Sequence, residues 1–151
     1  MKLTTRGRYA VTAMLDLSCY SSGEPVSLAD ISSRQDISLS YLEQLFAKLR
    51  RYGLVRSIRG PGGGYVLTQQ PTDISIAAII RAVDEPVEAS SCDEDKKSGC
   101  QQTTSCITHN LWADMGVHIF KYLESVNLGG LVEESIANGV NMDLKKVPEL
   151  A

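Results

Sequence analysis

The stretch SLADISSRQDISLSYLEQLFAKLRRYGLVRSIRGPGGGYVL, residues 27–67, decides how the chain folds. Ser27 has the side chain of a helix N-cap, with Asp30 three positions on, and the short segment LADISSRQ after it reads as one helix. A second helix in the stretch begins at Ser38 or Ser40 and carries YLEQLFAKLRRYG. Leu42, Leu45, Phe46 and Leu49 recur there at the i, i+3, i+4, i+7 spacing that buries one face. Gly53 suits the helix end, with Leu54 as the apolar residue after it. The outward face is left with Tyr41, Gln44, Lys48, Arg50 and Arg51. Two strand-like runs, LVRSIRG and YVLT, then flank PGGG, and glycine makes the turn between them permissive. A short helix, a tight turn, a longer basic helix and a hairpin together predict a helix-turn-helix with a wing. Arg56 and Arg59 belong to the first strand, with Arg59 at the tip. No Lys-Ser/Thr follows the glycines, so they do not make a phosphate-cradling P-loop.

Working outward, residues 6–20 read as a helix with Tyr9, Ala10, Ala13, Met14 and Leu17 on one face. Cys19 lies off that stripe and reads as an ordinary helix residue. Gly23 and Pro25 end this helix. Residues 74–83, ISIAAIIRAV, predict a fourth, amphipathic helix closed by Asp84, Glu85 and Pro86. Residues 108–126 carry the longest helical pattern, with Leu111, Trp112, Met115, Ile119, Tyr122, Leu123 and Val126 along one broad face. Such a helix either packs back on the first half or pairs with a second copy. Helix-turn-helix proteins bind paired half-sites as dimers, which favours pairing. A short helix follows around residues 128–136, and the last residues show no periodicity and are expected to be mobile. The expected fold is mainly α with a small β-hairpin wing. Residues 1–85 form a winged helix-turn-helix domain, 86–110 a ligand-bearing loop, 108–136 the dimerisation helix and its short successor, and 137–151 a tail.

Charge divides along the same line. Residues 1–70 hold nine Lys/Arg against five Asp/Glu, while residues 71–151 hold six against thirteen. The formal net charge of −3 conceals a basic first half, the half suited to a polyanion. Hydrophobic residues at 43% and charged residues at 22% describe a soluble globular chain with a real core. No apolar run approaches the roughly 18 residues of a membrane span, and the opening MKLTTRGRYAV lacks a signal peptide's apolar core. A cytoplasmic location without membrane contact is expected.

The remaining chemistry sits between residues 92 and 109. Cys92, Cys100 and Cys106 are three of the four cysteines, and His109 is one of two histidines. Asp, Glu, Lys, Ser, Gly, Gln and Thr separate them, with almost nothing apolar before Ile107, so the segment cannot order itself by burial. In a reducing compartment, thiols and imidazole gathered this way suggest a soft or borderline metal centre. The spacing is Cys-x7-Cys-x5-Cys-x2-His, without the tight Cys-x2–4-Cys knuckles of structural zinc sites. Spacing alone leaves zinc and iron–sulfur open. No Ser/His/Asp set or other catalytic constellation is evident, so the chain is expected not to be an enzyme.

Taken together, KLTTRGRYAVTAMLDL, LADIS, ISLSYLEQLF, SIRGPGGGYVL, AVDEPV and CITHNLW make residues 1–130 closely similar to the winged-helix family of iron–sulfur cluster regulators. The resemblance implies a homodimeric transcription factor that holds a [2Fe-2S] cluster and adjusts cluster-assembly genes to cluster supply, as repressor or as both activator and repressor. The assembly machinery would donate the cluster. It implies Cys92, Cys100, Cys106 and His109 as ligands. The first gap is two residues longer than the family's usual pattern, which costs about a few tenths of a kcal/mol in loop closure. Three thiolates with a neutral imidazole carry less negative charge than four thiolates. That raises the reduction potential, and a protonatable ligand makes the cluster easier to lose, as a sensor requires. A nitric-oxide sensor of the same family is the nearest rival, and an iron–sulfur electron-transfer protein is the rival from another class.

On double-stranded DNA, Lys2, Arg6, Arg50 and Arg51 are candidates for phosphates. Ser38, Ser40, Tyr41 and Gln44 are candidates for base edges, and Arg59 for a narrowed minor groove. Glu43 has two compatible readings. It completes a Ser40-x-x-Glu43 capping box, or, as the resemblance implies, it discriminates between operator classes.

Overall fold

The computed structural model describes residues 4–83 and 107–138. Among these, the chain runs α1 (Thr5–Tyr20), α2 (Leu28–Gln35), α3 (Leu39–Tyr52), β1 (Val55–Ile58), β2 (Gly64–Leu67), a single 3-10 turn at Pro71–Asp73, α4 (Ile76–Ala82), α5 (His109–Ser125) and α6 (Leu128–Ala137). The winged helix-turn-helix and the long helix are therefore present as expected. Lys2, the three loop cysteines and most of the tail lie outside the described residues.

Local chemistry accounts for the element boundaries. Ser27 caps α2 by accepting from the Asp30 N–H at 3.2 Å. Asp36 then takes a left-handed conformation, φ 53°, which turns the chain into α3. Ser38 caps α3 by accepting from the Tyr41 N–H at 3.2 Å. This overturns the capping-box reading of Glu43. With Ser38 as cap, Ser40 is already inside the helix and Glu43 lies beyond the first turn, too far along to reach back to the cap. Gly53 ends α3 at φ 93°, and its N–H and that of Leu54 both donate to the Leu49 carbonyl.

Helix four is shorter than residues 74–83 predict. Ser75 caps it through the Ala78 N–H at 3.1 Å, which leaves Ile74 on the preceding turn. Ile76, Ala77, Ile79, Ile80 and Ala82 are buried, so its open side narrows to half-buried Ala78 and exposed Arg81.

The core gathers Ala10, Met14 and Leu17 of α1, Ile31 of α2, the Leu42–Leu45–Phe46–Leu49 face of α3 and the isoleucines of α4. Each fully buried aliphatic or aromatic side chain contributes on the order of 1.5–3 kcal/mol relative to exposure. The wing is joined to this core rather than hung from it. The Phe46 ring meets Tyr65 of β2 edge-on at 4.9 Å. Val26, just before α2, exchanges two backbone hydrogen bonds with Tyr65, at 2.8 and 3.0 Å. That approach is close enough that a Cβ on Gly64 would stand 2.3 Å from the Val26 carbonyl oxygen, so only glycine fits.

α6 also belongs to the first half. Leu128 is fully buried in its core, and the helix packs on α1 and on the Pro71–Asp73 turn.

One polar cluster is locked inside. Asp16 of α1 is fully buried and accepts from Arg34 Nη2 at 2.6 Å, Arg34 Nε at 3.0 Å and Gln35 Nε2 at 2.8 Å. Arg34 also lies over the Tyr20 ring at 3.9 Å. The carboxylate beside it pushes the Arg34 pKa further above its ordinary value. The pair ties α2 to α1 and so sets where the helix-turn-helix stands. Removing one partner strands a buried charge. Arg34→Met is expected to lower stability by about 3 kcal/mol in urea unfolding. Glu124→Gln, which breaks the exposed 3.1 Å pair with Arg81, should change it by less than about 1 kcal/mol.

Candidate nucleic-acid interface and metal-ligand helix

The buried stripe of α3 leaves its opposite side open. Ser38, Ser40, Glu43, Gln44, Arg50 and Arg51 are exposed there. The Ser38 and Ser40 hydroxyls stand 3.5 Å apart at the helix start. Ser38 Oγ accepts from the Tyr41 N–H, and in the Ser38–Ser40 contact either hydroxyl can be the donor, which leaves the other O–H to offer a base acceptor. Tyr41 sits less openly than an outward-facing residue would. It is half-buried against the core, and its ring meets Tyr9 edge-on at 5.9 Å.

β1 ends at Ile58, so Arg59 stands in the turn beyond the strand rather than on it, exposed at the tip of the wing. Arg56 is exposed on β1. Arg6 is exposed, and its Nη1 donates to the Val83 carbonyl at 3.5 Å, linking the start of α1 to the end of α4. Lys48, Arg51, Tyr52, Arg81 and Ala82 line a cleft of about 230 Å³ between α3 and α4.

α5 is built differently from the other helices, for none of its residues is buried. Leu111, Trp112 and Tyr122 are exposed, while Met115 and Ile119 are half-buried. Leu123, expected in the same interface, packs partly against the core of its own chain, as does Val126. The C-terminal end of α5 is held firmly. The Ile76 N–H donates to the Val126 carbonyl at 2.9 Å and the Leu128 N–H to the Ile74 carbonyl at 3.0 Å. Arg81 reaches Glu124 at 3.1 Å and covers the Phe120 ring at 4.2 Å. None of these α4–α5 contacts was foreseen; Arg81 is a lone cation in an apolar helix, and sequence alone did not name its partner.

At the other end His109 is the first residue of α5, half-buried, and Trp112 Nε1 donates to Thr108 Oγ1 at 3.0 Å. Among the described residues no group of three His, Cys, Asp or Glu side chains gathers, and Cys92, Cys100 and Cys106 lie outside them. Cys19 is the one described cysteine. Burial, with Asp16 nearby, raises its thiol pKa, which suits an inert helix residue and not a ligand. Among the described residues no helix is long and apolar enough to cross a membrane.

The family model described as "Rrf2: Iron-dependent Transcriptional regulator" matches residues 3–134. The chain belongs to the Rrf2 family. Its relatives include the HTH-type transcriptional regulator IscR of Aliivibrio salmonicida, 55% identical over 135 residues, covering 89% of this chain and 79% of that one. IscR of Yersinia pseudotuberculosis is 50% identical over 150 residues, covering 97% and 90%. Among solved structures, T. potens IscR superposes with a TM-score of 0.72 at 36% identity, covering 89% of this chain and 88% of that one. CymR, the global cysteine regulator of B. subtilis, gives 0.73 at 34%, covering 89% and 98%. This Rrf2 chain is thus a winged-helix transcriptional regulator and not an enzyme.

For an Rrf2 regulator with this surface, phosphate and base contacts should separate experimentally. Arg50→Ala and Arg51→Ala are each expected to lower the slope of log affinity against log salt by about 1, equally on all DNA sequences. Gln44→Ala should leave the slope unchanged and alter the sequence preference. Binding titrations at several salt concentrations check both.

Proposed function

We propose that this Rrf2 chain is a homodimeric regulator whose DNA binding follows the presence of a [2Fe-2S] cluster, and that it controls cluster-assembly genes as repressor or as both activator and repressor. The reading rests above all on Cys92, Cys100, Cys106 and His109, with His109 placed at the first position of α5. The donor set fits the group: three thiolates and an imidazole suit a soft iron–sulfur centre, and the cysteine spacing offers no zinc knuckle. Bound there, the cluster would supply a redox-active and losable link between the cysteine segment and α5. Identities of 50–56% to proteins named IscR favour this reading over that of a cysteine regulator such as CymR, which shares the scaffold at 34%.

The chain's own residues supply the rest. His109 belongs to a helix of 17 residues, about 25 Å long. Its far end is clamped to α4 by the Val126 and Leu128 hydrogen bonds and by Arg81. α4 in turn packs on α3. Leu111, Trp112, Met115, Ile119 and Tyr122 present the apolar surface against which a second copy would pair. Constraint at His109 would therefore bear on the helix that spaces two reading heads, and Ser38, Ser40, Glu43, Gln44 and Arg59 would read the two half-sites. Coupling of this kind needs differential contacts in two states, and the His109 end is where they would differ.

Anaerobic purification tests the reading. The protein should be coloured, with iron and sulfide in equal amounts, and it should select a different set of DNA sites with cluster than without. His109→Ala should lose the cluster more readily while keeping the cluster-free DNA binding. A colourless, zinc-loaded protein, or one indifferent to DNA in both states, would overturn it.

A further inference from the structure

We infer that Leu39 is a specificity-determining residue that reads a thymine methyl group in the major groove. The inference rests on α3 being the helix that enters DNA. Leu39 is the first residue of α3 and is 43% exposed, whereas Leu42, Leu45 and Leu49 of the same helix are at most 2% exposed. It has no evident local structural duty. The residue before an N-cap commonly packs against the fourth helical residue, and here Ile37 and Leu42 hold those two positions and are both buried. Capping belongs to Ser38.

Leu39 stands between exposed Ser38 and Ser40 and one turn before exposed Glu43. It thus belongs to the N-terminal turn of a reading helix, the part that reaches base edges. Polar side chains there can address the donors and acceptors of the groove. The thymine C5-methyl is the one apolar feature a base pair presents on that side, and an exposed leucine is suited to cover it. An isolated exposed leucine is common on protein surfaces, so position and not exposure alone carries the inference.

Replacing thymine by uracil removes that methyl and nothing else. The full chain would first select its own sites from a random duplex pool, and each thymine of the selected site would then be changed to uracil singly. One thymine position in each half-site is expected to weaken binding roughly four-fold on substitution, the worth of one buried methyl. Leu39→Ala should bind the thymine duplex correspondingly more weakly and be indifferent to uracil at that same position. Leu39→Ser should behave alike, with thermal unfolding showing that both variants fold. If no thymine position responds in the unmodified protein, or if Leu39→Ala keeps the same response, the inference is overturned. Failure of the unmodified chain to select any sequence would instead overturn the DNA-reading assignment beneath it.

Discussion

Burial of one face of α3 is the constraint on which the structure depends. Leu42, Leu45, Phe46 and Leu49 are held at 0–2% exposure by α1, α2 and α4 together. A helix with one face so buried has no freedom to rotate, because turning it would expose leucine and bury arginine. The polar side of α3 is presented outward as a consequence of packing, without any residue there being needed for the fold. Phe46 extends the same constraint to the wing through Tyr65. α3 and the wing are thereby joined through one core rather than packed independently.

The long helix obeys the opposite logic. Its seventeen residues bury no side chain completely, so the intrachain core alone explains little of why it forms. What holds it is local and lies at one end, where the Ile74–Ile76 backbone pairs with Val126 and Leu128, and Arg81 covers Phe120. α6 then returns to α1 and anchors that end again. The His109 end has no comparable set of long-range backbone bonds among the described residues. The two ends of α5 are thus held differently: one by backbone pairing and Arg81, the other beginning at half-buried His109.

Much of this was legible before any coordinates. Helical spacing named the buried face of α3, the dyad of strand-like runs around PGGG named the wing, and Ser27 named its own cap. These succeed because they depend on neighbours within one or two turns. Where two local solutions compete, the reading was less secure. Ser38 and Ser40 both suit an N-cap, and the choice depends on the left-handed turn at Asp36 and the burial of Ile37. Ser75 shortened α4 in the same way. The three clustered cysteines and His109 were legible as residue types, because composition and spacing need no tertiary partner.

By itself, then, the sequence determined the elements, the exposed basic side of α3, the wing and the inventory of thiols and imidazole. Each follows from periodicity, capping chemistry or composition, which are properties of short segments. Tertiary structure alone decided that α6 packs on α1, that Arg81 clamps α5, that Arg6 reaches Val83, and that Asp16 is ion-paired with Arg34 and hydrogen-bonded by Gln35. The side-chain bonds among these join residues 18 to 77 positions apart, and α6 lies still further from α1 in the chain. Nothing in a local pattern says which distant partner a buried carboxylate or a lone cation will meet, because that is settled only when the apolar faces have chosen their packing.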